Sequence, residues 1–176
     1  LWEFGEATNN EVVVVESQPS DTIGVKYKGA ISIHPNEQFN HNRFRNLGYN
    51  YLKSRNRVKA DYVLMASNEL LFNRYWFNSL IIALNNGYDS VSPICTRWAP
   101  HRKFSNTVNE GWRIGIEFTD WCLLFKSESL NKLMPLNELH EGSTAVESMV
   151  EEMKKLNMKH ALITNSCVTR NDLFRL

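Results

Sequence analysis

The chain has 176 residues with a formal net charge of +1; 43% of its residues are hydrophobic and 22% charged. That length suits one domain with a real core, and the composition excludes wholesale disorder. The charge balance excludes a protein that lives by phosphate-backbone contacts, so nucleic acid is not an expected partner. Val12 to Val15 is an uninterrupted β-branched run and predicts a strand buried on both faces. A polar, turn-rich stretch from Glu16 to Asp21 follows, and Ala30 to Ile33 is a short strand candidate. Asn42 to Leu52 reads as a helix with Phe44, Leu47, Tyr51 and Leu52 on one face, and Gly48 inside it hints at a close neighbour.

Tyr62 to Ala66 predicts a second buried strand, ended by Ser67-Asn68-Glu69. Asn73 is the expected N-cap of a helix from Arg74 to Asn86, with Gly87 just past its end. Ser90 to Cys95 is a third strand. Thr96 to Gly115 shows no period and predicts a long loop of the kind that covers a site. Trp121 to Phe125 is a fourth strand, Ala145 to Leu156 a helix, and Ala161 to Thr164 a last short strand. Strand and helix alternate, which predicts an α/β fold with a largely parallel sheet in a single domain spanning residues 1–176. Ligands of such sheets sit at the carboxyl ends of the strands.

No apolar run approaches the ~18 residues of a membrane-spanning helix, so no integral membrane segment is expected. The first residues, Leu-Trp-Glu-Phe-Gly-Glu, lack signal-peptide character. Cys95, Cys122 and Cys167 have no paired spacing, and together these features lead to an expected cytoplasmic setting. No phosphate-binding Gly-rich loop and no Gly-x-Ser-x-Gly elbow occurs.

Several segments line up with one family. Asn40 to Leu52 reads Asn-His-Asn-Arg-Phe-Arg-Asn-Leu-Gly-Tyr-Asn-Tyr-Leu, similar to an Asn-Arg-x-x-x-Asn-x-Gly segment, and Tyr62 to Phe72 reads as a strand running into Ser67-Asn68-Glu69. Gly111-Trp112 through Phe125, then Pro135 to Leu139, then Glu147, follow in order. The chain resembles inverting glycosyltransferases of the GT-A fold, family 2-like or galactosyltransferase-like. The resemblance covers most of residues 11–165. It implies a Rossmann-like, mixed but mostly parallel sheet flanked by helices. It further implies an enzyme that moves a sugar from a nucleotide-diphosphate donor, UDP-sugar favoured, to a glycan or other hydroxyl acceptor. Ser67-Asn68-Glu69 stands where the family has its DXD motif, and Glu147-Ser148 where it has an acidic pair. On the family's pattern Leu1 to Phe4 corresponds to the end of the first helix, with the first strand–helix unit absent. The alternative reading is a non-catalytic nucleotide- or carbohydrate-binding relic of the same fold.

The resemblance also implies roles. Mn²⁺ or Mg²⁺ would sit on Glu69 and Ser67 and clamp phosphate oxygens as a Lewis acid. Glu69 reads equally as a solvated acid. Glu147 is the expected general base, with Asp120 second and Glu138 third. Glu147 also fits a capping box with Thr144, and Asp120 fits a turn or a partner for Arg97 or Arg113. Glu16, Arg43 and Asn68 would hold the donor; Glu16 reads also as a strand end and Arg43 as a solvated helix face. Trp98 and Trp112 would stack on the acceptor's sugar rings, while Trp121 reads as core. His140 is kept as a possible extra metal ligand.

Overall fold

In the computed structural model the described residues are 11–17, 30–55, 60–67 and 69–170. Asn68 and Leu1 to Phe4 lie outside them. The chain divides into two compact units, residues 1–59 with 135–145, and residues 60–134 with 146–176.

In the first unit, β1 (Val13–Val15) pairs in parallel with β2 (Ile31–Ile33), Val13 opposite Ile31. The Val run is half-buried rather than buried on both faces, because the two strands form a sheet of their own. Helix α1 (His41–Ser54) starts two residues before Arg43, where Asn40 caps it by accepting the Arg43 N–H at 2.8 Å. A Cβ at Gly48 would lie 3.4 Å from a Val15 methyl group, so α1 packs tightly against β1.

The second unit is built on a six-stranded sheet. Its strands are β3 (Tyr62–Ala66), β4 (Leu70–Phe72), β5 (Ser90–Cys95), β6 (Val108–Glu110), β7 (Cys122–Lys126) and β8 (His160–Arg170). The order is β3-β7-β5-β8-β4, with β6 also on β8. Only the β5–β8 pair is parallel; β3–β7, β5–β7, β4–β8 and β6–β8 are antiparallel. The sheet is therefore mostly antiparallel, which corrects the expected mostly parallel, Rossmann-like GT-A sheet. An apolar run of four to six residues looks the same in either direction, since the side-chain period is 2 both ways. What the chain holds is a mixed α/β domain.

Helices α2 (Trp76–Asn85), α3 (Ser127–Leu133) and α4 (Gly142–Lys155) complete the described structure. α2 begins later than predicted because Tyr75 has a left-handed φ of 65°, which no helical turn can include. Gly87 closes it at φ 102°, as its position predicts. The core gathers Leu80 and Leu84 of α2, Val91, Leu123, Leu124, Phe125, Leu162 and Ile163 of the sheet, and Met149 and Met153 of α4, each almost fully buried. Full burial of one such side chain contributes roughly 1.5–3 kcal/mol.

The stretch from Thr96 to Gly115 is not a structureless cover. Ala99–Lys103 forms a 3-10 turn and β6 pairs with β8. β8 runs far past the predicted Thr164, through a bulge at Thr164, Asn165 and Ser166 whose polar residues hide it in the sequence. The Thr164 hydroxyl and N–H donate to the Asn106 and Thr107 carbonyls, and the Ser166 hydroxyl to that of Trp76. Among the described residues no helix is long and apolar enough to cross a membrane.

Candidate functional site

Strand directions decide where chemistry gathers. β7 is antiparallel to both β3 and β5, and β8 is parallel to β5, so the carboxyl ends of β3, β5 and β8 share one end of the sheet with the start of β7. There the Ser67 N–H donates to the Trp121 carbonyl at 2.8 Å, and the Thr96 N–H to the Val168 carbonyl at 3.1 Å. Cys95 is in register with Val168, which brings two Thr-Arg dipeptides, Thr96-Arg97 and Thr169-Arg170, to the same place. Their threonine hydroxyl oxygens are 3.2 Å apart. The Arg170 guanidinium lies over the Trp121 ring, 4.7 Å from its centre. Trp98 and Trp121 meet edge to face at 6.0 Å, both half-buried.

The segment from Arg113 to Thr119 is held from this end of the sheet and from the opposite one, where His160 stands in register with Ser90. Its three successive carbonyls each accept a ring N–H. Trp98 Nε1 donates to Gly115 at 2.6 Å. His101 Nδ1 accepts the Cys95 N–H at 2.8 Å, which leaves the proton of the neutral ring on Nε2, 2.9 Å from the Ile116 carbonyl. His160 Nε2 lies 3.1 Å from the Glu117 carbonyl while its Nδ1 faces the Ser90 hydroxyl at 2.8 Å. Burial pushes His101 below its ordinary range and His160 down to about 4. Both are neutral supports at pH 7. Within the segment, buried Glu117 is paired with Arg113, and hydrogen bonding from Arg113 holds its carboxyl below the usual range. A Cβ at Gly111 would lie 2.7 Å from Glu117, so only glycine fits beside that pinned carboxylate. Thr119 Oγ1 and Trp121 Nε1 are buried with no hydrogen-bond partner among the described residues.

The predicted residues distribute unevenly. Ser67, Glu69, Asp120 and Trp98 lie at the strand ends. The Glu69 N–H is 3.4 Å from the Ser67 hydroxyl, and the Glu69 side chain is exposed. Trp112 is not part of this end; it stacks on Phe118 at 6.1 Å and lies against His160 at 5.6 Å. Glu147 is exposed on α4 and makes no hydrogen bond or ion pair among the described residues. Its capping box with Thr144 does not form, because α4 starts at Gly142 and the Thr144 hydroxyl donates to the Glu141 carbonyl instead.

Glu16 and Arg43 belong to the first unit. The Glu16 N–H extends the β1–β2 pairing to the Ile33 carbonyl. Arg43 is held between Glu37 at 3.1 Å and Glu138 at 3.3 Å. The asparagines around it are structural: Asn46 brackets the Leu136 peptide, donating to its carbonyl at 2.9 Å and accepting its N–H at 2.8 Å. Asn42 donates to the Asn137 carbonyl and Asn40 to the Glu138 carbonyl. Missed from the sequence were Thr169, Arg170 and the two histidine supports. The repeated Thr-Arg after two apolar runs was the available signal.

No family model matches the chain, and no curated protein matches it. Among the described residues no three His, Cys, Asp or Glu side chains are grouped to hold a metal ion. These findings and the antiparallel sheet overturn the GT-A resemblance, and with it the metal-dependent glycosyltransferase, its UDP-sugar donor and the relic of that fold.

Proposed function

We propose that the second unit is a non-catalytic binding domain for a hydroxyl-rich ligand of the glycan class, taken at the shared carboxyl end of β3, β5 and β8. The observation that carries this reading is the Trp98–Trp121 pair with Arg170 laid over Trp121. Sugar rings present apolar C–H faces to indoles, and their hydroxyls both donate and accept. Carboxylates at Glu69 and Asp120 accept from hydroxyls, the Arg170 edge donates to them, and Thr96 and Thr169 do either. Two acids and two arginines give little net field, which suits a neutral ligand better than a strongly charged one. The cytoplasmic setting is part of the proposal and rests on the cysteine usage.

The test is calorimetric titration of the full chain with cello-, xylo-, manno- and chito-hexaose. Arg170→Gln and Glu69→Gln change solvent-reachable groups and should each weaken the best binder by roughly 10-fold. Repeating the titration with Mn²⁺, Mg²⁺ or EDTA tests the cofactor expectation, since an ion shared by Glu69 and the sugar hydroxyls would make affinity metal-dependent. Binding that is absent across the panel, or indifferent to both substitutions, defeats the reading.

A further inference from the structure

We propose that His101 is the positioning residue of this site, and that it holds the Trp98–Trp121 pair in place only while its ring is neutral. The binding consequence rests on the glycan reading; the positioning itself does not.

One ring links the end of β5, the turn that carries Trp98, the Arg113–Thr119 segment and Trp121. His101 is 3% exposed and sits in the 3-10 turn directly after β5. Its Nδ1 accepts from Cys95, the last residue of β5, and its Nε2 donates into the Arg113–Thr119 segment at Ile116. Its own N–H donates to the Trp98 carbonyl at 3.0 Å, and the Trp98 N–H returns to the Cys95 carbonyl at 3.1 Å. Its ring centre lies 6.0 Å from that of Trp121. The position of Trp98 relative to Trp121 is thus set through His101 from both the turn and the ring contact.

The arrangement admits one tautomer. A protonated imidazole donates from both nitrogens, so its Nδ1–H would face the Cys95 N–H, donor against donor. Cys95 is fully buried, and its N–H would then lose its acceptor. The ring has to move, and the turn carrying Trp98 and the contact with Trp121 move with it.

The charged groups around the ring do not remove this conflict. From the Arg113–Thr119 segment comes Glu117, whose carboxylate is paired with Arg113. From β8 comes Arg170, over the Trp121 ring that His101 also meets. From β5 the neighbour is the Cys95 thiol, buried and free, and on its own turn Arg102 and Lys103 are exposed. Burial outweighs the favourable Ile116 carbonyl and Glu117, so the ring titrates below 6.5. Glutamine can reproduce the neutral pattern, with Oε1 accepting from Cys95 and Nε2 donating to Ile116, and it does not titrate.

The experiment follows the indole N–H signals of Trp98 and Trp121 in ¹⁵N-labelled full chain as pH is lowered from 7.5, with assignments from Trp98→Phe and Trp121→Phe. In the wild type both signals should shift or broaden together, with a midpoint below 6.5. In His101→Gln the transition should vanish or move down by about one pH unit or more. The proposal is overturned if the two proteins titrate together, or if His101→Gln loses the wild-type signals at neutral pH. Should that variant fail to fold, ring ¹⁵N shifts of the wild type decide. An Nε2–H tautomer whose protonation coincides with the indole transition supports it, and an Nδ1–H tautomer or an uncoupled transition overturns it. Titrating the hexaose panel at each pH adds the binding arm. A panel that never binds ends the glycan reading, while the indole signals still judge His101.

Discussion

Each unit holds one irregular segment by three successive backbone carbonyls, and the two do so with different chemistry. In the first unit, amide side chains of α1 and of its N-cap Asn40 reach the carbonyls of Leu136, Asn137 and Glu138. In the second, ring N–H groups of Trp98, His101 and His160 reach Gly115, Ile116 and Glu117. Both solutions satisfy carbonyls that no helix or strand would pair. Amides carry no titratable proton, so the amide-to-carbonyl bonds of the first clasp do not themselves respond to pH, although Asn46 also donates to the Glu138 carboxylate at 2.7 Å. In the second, His101 must stay neutral for its Nδ1 to accept the Cys95 N–H, and burial disfavours charging either histidine, so that clasp carries a built-in sensitivity to acid.

Acid should separate the two clasps with the largest effect. The folded values of His160 and His101 are depressed, so the unfolded chain binds protons more readily than the folded one. Stability is complete above 6.5 and falls as pH drops from there toward the folded values. For His160, a fall from 6.5 to about 4 corresponds to about 3 kcal/mol, since each unit is worth 1.36 kcal/mol. Hydrogen exchange at pH 7 and pH 4.5 should show protection lost at residues 113–119 and kept at the Leu136 N–H. Equal loss at both would erase the distinction.

Asn46→Ala should cost about 2–4 kcal/mol in urea unfolding, because it strands both the N–H and the carbonyl of Leu136. The loss should be the same at pH 7 and pH 5.5, which marks it as belonging to the amide clasp. Gly111→Ala should cost about 1–3 kcal/mol by overpacking Glu117, and should also raise the Glu117 pKa by loosening its pair with Arg113. A neutral effect there would show that the carboxylate is free to move. The smallest change sharpens the cost of the second region's polarity. Thr119→Val removes a buried hydroxyl that has no partner among the described residues and should stabilise by about 1 kcal/mol, read as a rise in urea midpoint at constant slope.

Among the candidate residues, those read by side-chain chemistry at a strand end fared differently from those read by pattern. Ser67, Glu69 and Asp120 lie at one end of the sheet because each directly follows or precedes an apolar run, and Trp98 lies there in the turn that follows β5. Trp112 and Trp121 exchange their expected places: Trp112 packs on Phe118 and His160, and Trp121 stands at the strand ends. Nothing in a local window separates a tryptophan that meets a core ring from one that meets an arginine 49 positions away. Arg43 of α1 carries a donor role in the sequence reading, yet the asparagines around it bond a loop some 90 positions along the chain.

What the sequence alone determined is the set of apolar runs and their limits. Tyr62–Ala66 and Ser90–Cys95 fall on strands with the predicted bounds; of the apolar face expected on the last helix, Val146, Met149, Val150 and Met153 are buried as a 3.6-residue period requires, while Leu156 lies past the end of α4 and is exposed. Burial of apolar side chains is local in sequence and strong, so it leaves a periodic trace. Three-residue strands such as β4 and β6, the bulged extension of β8 and the antiparallel sense of the sheet leave none. Each depends on which backbone edge is free to pair, and hydrogen bonds between edges do not record themselves in side-chain identity. The meeting of the two Thr-Arg ends, and of three ring N–H groups on three carbonyls, belongs to that second class. Only the tertiary structure decided it, because it joins residues from separate segments, the Thr-Arg pairs and Trp98 and His101 at one end of the sheet and His160 at the other, that no local window brings together.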